Sequence, residues 1–363
     1  MPFSDFHGNS ETIERVRAML ASGRLPPSLI LAGPRGSGKY FLAQMVAKAM
    51  NCLEPPGNKH ADFCGHCANC QRISGADDLD ARCAEAVEAR EGLRDTDRKE
   101  TRILIQTHPD VIIIPPDPPQ LMIKVDQVRH VIGTIYHRPT TGGHRAFIFT
   151  DSVFMKEAAN SLLKILEEPP DFATILLLTT NAGELLPTIR SRCITLTLSP
   201  LAPTEIESYL VRQRPEWTAS QRALAARLSD GGLGRALTFD LTGYTAARKD
   251  ALTLLGSGLN RDDHSLLFRV TESYRAGADG REKTDQLVRT LYSLLHDVMF
   301  LRSGTPDLVR NIDIAAELDR LTAGADFHWI KTAVQRLDEL QSGMRRNLLR
   351  GLALDAFATS LAE

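Results

Sequence analysis

The sequence has no run of about eighteen apolar residues, so it offers no helix long enough to cross a bilayer. It has no excess of one charge. Lys and Arg number 43 against 45 Asp and Glu, a formal net charge of −2. That balance excludes a protein whose whole surface clings to nucleic acid, while leaving room for a basic patch on one face. The opening residues, MPFSDFHGNSETIERV, lack the basic-then-apolar pattern of a secretory signal, and the expected compartment is cytoplasmic. No internal repeat is visible. In a reducing compartment the six cysteines read first as metal ligands or free thiols, not as disulfides.

What is present suits a globular chain of two or three domains: 363 residues, 43% hydrophobic and 24% charged. As far as Pro200, short apolar runs alternate with helical patterns. A helix is expected over 10–21 and a strand over 28–32. A Gly-rich loop and a helix from Lys39 to Met50 follow. Further strands are expected at 111–114, 146–149 and 174–180. Continuous apolar runs bounded by turn residues are how strands buried on both faces of a parallel sheet read, so the first 200 residues predict an α/β domain. After Leu201 the strand signal stops. Thr204 reads as the cap of a helix from Glu205, and the Gly231-Gly232-Leu233-Gly234 stretch interrupts the helices that follow. From Ala246 onward only helical periodicity remains, as in 286–300, 330–342 and 347–361. The segment 76–102 is rich in Asp, Glu and Arg and reads as a solvated insertion, helical around 84–93.

Gly33-Pro34-Arg35-Gly36-Ser37-Gly38-Lys39-Tyr40 lies between an expected strand and an expected helix, the context a P-loop needs. Glycines let backbone N–H groups curl around phosphates, the helix N-terminus adds partial positive charge, and Lys39 reaches the terminal phosphates. The eighth position departs from the pattern. A short Ser or Thr hydroxyl belongs there as a Mg²⁺ ligand, and Tyr40 carries its hydroxyl at the far end of a ring. The strand ending in Asp151 has a Walker B pattern, with the carboxylate able to hold Mg²⁺ through water. The next residue, Ser152, is too weak a base at pH 7 to activate an attacking water. The parts that hold phosphate are kept and two parts that hydrolyse it are altered. ATP or ADP binding is expected to be weak or absent, and hydrolysis negligible.

Cys52, Cys64, Cys67 and Cys70 fall within nineteen residues. Four thiolates suit tetrahedral Zn²⁺, with no open position for catalysis, so a structural site is expected. His66 is an alternative fourth ligand. Cys83 and Cys193 are expected to be free thiols.

Together these segments resemble the clamp-loader branch of AAA+ proteins. Ala158-Ala159-Asn160-Ser161-Leu162-Leu163-Lys164-Ile165-Leu166-Glu167-Glu168-Pro169-Pro170 is similar to that family's AxNxLLKxLEEPP signature, and Ser191-Arg192-Cys193 to its SRC motif. The four cysteines match a zinc module placed after the P-loop helix. His108-Pro109-Asp110 and 123–129 also look like family segments. The resemblance implies three domains: a RecA-like AAA+ domain (1–200) with a zinc module (52–70), a helical lid (201–245) and an all-α collar for oligomerisation (246–363). It also implies a sliding clamp, primer-template DNA and the gamma/tau and delta subunits as partners, and Zn²⁺ as cofactor. Arg192 would be an arginine finger offered in trans. Thr180 would match sensor 1 and Arg235 sensor 2. Because Tyr40 and Ser152 depart from the motor subunits, the resemblance implies a stator that supports a neighbour's hydrolysis. Its rivals are an active motor subunit and a zinc-bearing DNA-binding protein built on the same fold.

Overall fold

The apolar runs become the centre of one six-stranded sheet. A computed structural model describes residues 2–57, 61–141, 143–259, 265–274, 279–344 and 349–361. Strands β1 (Ser28–Ala32), β3 (Val111–Ile114), β4 (Arg145–Phe149) and β5 (Ala173–Thr179) are buried along their whole length. Two short strands, β2 (Ile105–His108) and β6 (Ile194–Thr197), close the edges in the order β2-β3-β4-β5-β1-β6. Only β2 runs antiparallel to its neighbour.

The period of two sends alternate side chains to opposite faces. Leu29, Leu31, Ile113, Ile148, Leu176 and Leu178 join one core with helices α1 (Ser10–Ala21) and α2 (Lys39–Asn51). Ile30, Ile112, Ile114, Phe147, Phe149, Ile175 and Leu177 join the core on the other face. The residues between β1 and β4 supply α3 (Ala68–Ser74), α4 (Leu79–Glu91), α5 (Asp95–Glu100) and α6 (Val125–Thr134). Beyond β4 come α7 (Lys156–Glu167) and α8 (Pro187–Arg190).

The charged insertion is more ordered than its composition suggests. Its helix α4 starts earlier than expected, capped by the Asp78 carboxylate accepting from the Ala81 N–H at 3.0 Å, and ends at Glu91. Arg90 reaches the buried Asp117 at 2.6 Å, which also takes Lys124 at 3.0 Å, so the insertion is tied to the domain by a shared carboxylate.

The chain divides into two compact units. One holds Met1–Ala202 with Asp230–Arg235, the other Pro203–Ser229 with Ala236–Glu363. The described residues of the second unit carry no strand. Its first helix, Pro203–Gln213, begins two residues before the expected start, so Thr204 lies inside it. Proline at the first helical position has its φ already set and no N–H to lose. The long helices Leu241–Leu259, Asp279–Arg302 and Phe327–Met344 contain the expected helical patterns. The last described helix is Arg350–Ser360, and the expected start at Asn347 lies outside the described residues.

A buried polar cluster locks this unit. Asp297 accepts from the Arg310 N–H at 2.8 Å, the Asn311 N–H at 2.9 Å and the Asn311 side-chain amide at 2.7 Å. Asn311 in turn accepts from Tyr244 and Arg248. Asp297→Ala would strand two backbone donors, at about 1–3 kcal/mol per buried group. The thermal midpoint should fall by roughly 5–10 °C for a unit of this size. Scanning calorimetry would check this, and Asp297→Asn should fall less because one oxygen remains.

Candidate functional site

The carboxyl ends of the neighbouring parallel strands β4, β5 and β1 lie side by side at one edge of the sheet, where open α/β folds place their ligands. The loop leaving β1 enters α2 with Gly36 and Gly38 at φ +76° and +87°, values that favour glycine. A Cβ on Gly36 would stand 2.5 Å from the Arg235 backbone nitrogen. The close approach is fixed by the Gly234 N–H donating to the Gly36 carbonyl at 2.8 Å. The Arg235 backbone therefore lies on the phosphate loop, while its guanidinium pairs with Asp230 at 2.8 Å. Lys39 opens α2, and its ammonium donates to the Gly33 and Pro34 carbonyls, each at 2.7 Å. Burial lowers the Lys39 pKa to about 8, with Arg35 pushing the same way and Asp151 opposing. Asp151 lies two residues beyond β4 and accepts from the Ser152 N–H at 2.6 Å and the Val153 N–H at 3.2 Å.

Gly33, Gly36, Gly38, Lys39 and the Arg235 backbone thus lie together, with Asp151 near enough to act on the Lys39 charge. Thr180 is exposed and lies one residue past the end of β5. The polar side chain at the strand end is Thr179, which is buried and donates to the Asn181 carbonyl at 3.0 Å.

The two departures from the hydrolytic pattern have taken up other work. The Tyr40 hydroxyl donates to the Ala76 carbonyl and accepts from Gln44 at 2.7 Å, while burial raises its pKa. One turn of α2 further on, Lys48 pairs with Asp77 at 2.8 Å. These bonds moor the start of the charged insertion to α2. The Ser152 hydroxyl donates to the Leu178 carbonyl of β5 at 2.6 Å.

Cys52 follows the end of α2, Cys67 caps α3, and Cys70 lies within it. All four sulfurs of Cys52, Cys64, Cys67 and Cys70 lie within 4.8 Å of one another. A tetrahedron of bonds about 2.3 Å long has sulfur–sulfur edges of about 3.8 Å, so a small contraction would close the set around a cation. The cysteines are unpaired thiols. Backbone N–H groups already aim at two of the sulfurs: Cys64 at the Cys52 sulfur and Cys67 at the Cys64 sulfur, each at 3.3 Å. Burial pushes the Cys52 and Cys70 thiols up, whereas at Cys67 burial is outweighed by hydrogen bonds to Cys70, Leu53 and Cys64, which lower it to about 6. Four thiolates this close would need a cation to offset their charge. His66 also lies near Cys64, grouped with Glu54, but its ring is exposed and contacts the Glu54 carboxylate at 3.3 Å. The four-cysteine set is the better fit for a closed site.

Arg192 follows α8. Its Nε donates to Glu167 Oε1 at 2.9 Å, Nη2 bonds the same oxygen, and Nη1 donates to the Thr188 carbonyl at 2.8 Å. On either side, Ser191 bonds the Thr188 carbonyl and Cys193 packs against the second core, where burial pushes its thiol up to about 12. Serine and cysteine thereby anchor the turn that displays the arginine. The sequence reading did not single out Glu167 as the partner of Arg192. Its place on the last turn of α7, ahead of two prolines, was the available signal.

A sequence model of the family described as DNA polymerase III, delta subunit, matches residues 8–202, more than half of the chain. The chain is 28% identical over 305 residues to the DNA polymerase III subunit delta' of Escherichia coli, covering 83% of this chain and 78% of that one. To the delta' of Pseudomonas aeruginosa it is 30% identical over 204 residues, 56% of this chain and 52% of the relative. It therefore spans about half of that second relative. It also matches the tau/gamma subunit of Haemophilus influenzae, 28% identical over 57% of this chain and 25% of the relative. With the phosphate loop, the paired signature and SRC segments and the cysteine cluster in place, the chain belongs to the delta-prime family of DNA polymerase III clamp-loader subunits.

Proposed function

We propose that this chain is the stator of its clamp loader: it holds a neighbouring motor subunit in place, offers Arg192 to that neighbour's ATP, and hydrolyses none itself. The observation that carries this reading is the commitment of both altered residues. Tyr40 and Ser152 spend their hydroxyls on the Ala76 and Leu178 carbonyls, so neither is offered to a metal or a water. The phosphate loop persists as architecture, with Lys39 bonded to its own backbone carbonyls. Thr180 and Arg235, which the resemblance likens to the two sensors, would then act structurally.

The partners on this reading are the gamma/tau and delta subunits, the sliding clamp, and primer-template DNA held through the assembly by salt-sensitive phosphate contacts. Residues 201–245 would serve as a lid and 246–363 as the oligomerising collar. The cysteine cluster would hold structural Zn²⁺ through Cys52, Cys64, Cys67 and Cys70, fixing the turn between α2 and α3. The purified chain with Mg²⁺-ATP should show no turnover above a phosphate-loop blank carrying Lys39→Ala. A rate near about one per second, ordinary for an enzyme, would overturn the stator reading in favour of an active motor.

A further inference from the structure

Glu167 sits where helix energetics do not want it. It is the last residue of α7, where the helix dipole is negative, with Glu168 beside it and Pro169-Pro170 ending the helix. An acidic residue there needs another reason, and the structure supplies one in Arg192. Between them, Glu167, the Thr188 carbonyl and the Ser191 hydroxyl engage four of the five guanidinium N–H donors. The remaining N–H, on Nη2, has no partner among the described residues. An unrestrained arginine at an exposed turn would sample many rotamers, and each would have to be frozen out before it met a phosphate. We propose that Glu167 is a positioning residue for Arg192: its carboxylate sets the guanidinium's orientation before the neighbour's nucleotide arrives. The two motifs, 25 residues apart in sequence, then form one device, with α7 as its rigid base and α8 as its arm.

The inference rests on the reading of Arg192 as a finger acting in trans. It also explains why the anchors are as they are. Ile189 is fully buried and Cys193 partly buried against the same core, which restrains the arm and leaves the arginine's own torsions to be fixed. The pair itself is partly exposed, 32% for the Arg192 side chain and 50% for Glu167, and contributes little to stability. Loss of the carboxylate should therefore spare the fold and show up in chemistry.

The test uses the full complex, reconstituted with motor and delta subunits, clamp and primed DNA. Glu167→Ala, Glu167→Gln and Arg192→Ala, and the Glu167→Ala/Arg192→Ala double variant, are compared by ATP turnover. For Glu167→Ala we expect kcat to fall about tenfold, the scale of a misplaced catalytic group, with KM for ATP nearly unchanged. Glu167→Gln keeps an acceptor oxygen and should recover part of the loss. In the Arg192→Ala background, Glu167→Ala should cost nothing more. If Glu167→Ala turns over normally while Arg192→Ala is slow, the positioning role is wrong and the finger stands. An equal loss in both backgrounds, or a looser assembly by gel filtration, would make Glu167 merely structural and overturn the proposal. If Arg192→Ala itself has no effect in an intact complex, the finger falls and this inference with it.

Discussion

Replacing Arg192 with alanine should leave the clamp loader assembled and lower its clamp- and DNA-stimulated ATP turnover at least severalfold. A guanidinium beside the γ-phosphate offsets charge that develops in the transition state, and in comparable phosphoryl-transfer sites its loss costs about 10³–10⁵ in rate. Only the motor site facing this chain would lose its finger, so the fall in total turnover measures how strongly that site is coupled to the others. A ring that fires in sequence would nearly stop. A ring of independent sites would lose only one site's share, short of the severalfold fall expected for coupled sites. Arg192→Lys should rescue poorly. An ammonium is a point charge without the planar fork, so it cannot hold Glu167 and the Thr188 carbonyl while also reaching a phosphate. Unchanged turnover in an intact complex would reduce Arg192 to a surface residue paired with Glu167. The chain's contribution would then be scaffolding or DNA contact.

The sheet was readable because its central strands are buried on both faces. Four uninterrupted apolar runs needed no partner information to be seen. The edge strands β2 and β6 escaped, and the reason is physical. Each has four residues with polar positions interleaved, and a half-buried strand that short is indistinguishable from a loop. Helix starts were read less well than strands. The α4 start at the Asp78 cap lies ahead of the expected 84, and the Pro203 start was displaced by two residues because a threonine next to a proline reads equally well as a cap. The site divides in the same way. The phosphate loop and the cysteine cluster are encoded in short spacings and appear in the structure as expected. What Tyr40, Ser152 and Glu167 do is set by partners 36, 26 and 25 residues away, and no spacing rule points to them. The sequence could say that Tyr40 and Ser152 were wrong for hydrolysis. Only the structure says what they are right for.

Chelation tests the cysteine cluster. The purified chain should carry one Zn²⁺, released by a strong chelator together with protection of the amides over 52–74. The apparent binding energy of structural zinc in small peptides is about 10–16 kcal/mol at neutral pH, so its loss should be large locally. It should stay local because one face of the sheet has a core independent of the cluster. Leu29, Leu31, Leu176 and Leu178 share their core with Cys52, Cys67 and Cys70, but the second face is built from Phe147, Phe149, Ile175 and Leu177 with none of the four cysteines in it. The far-UV helical signal should therefore persist at reduced thermal midpoint, with most of the loss in α3 and the mooring of the insertion. Coupling to the insertion follows from geometry. Asn69 on α3 donates to the Asn51 carbonyl at the end of α2, the same helix that carries Tyr40 and Lys48. Cys67→Ser and Cys70→Ser should each abolish stoichiometric zinc, while His66→Ala should retain it, since that ring is exposed and turned to Glu54. Zinc loss in His66→Ala would move the fourth ligand from cysteine to histidine. Complete unfolding on chelation would mean that the cluster organises the whole domain, because a module that belongs to the core on one sheet face only could not take both faces down with it.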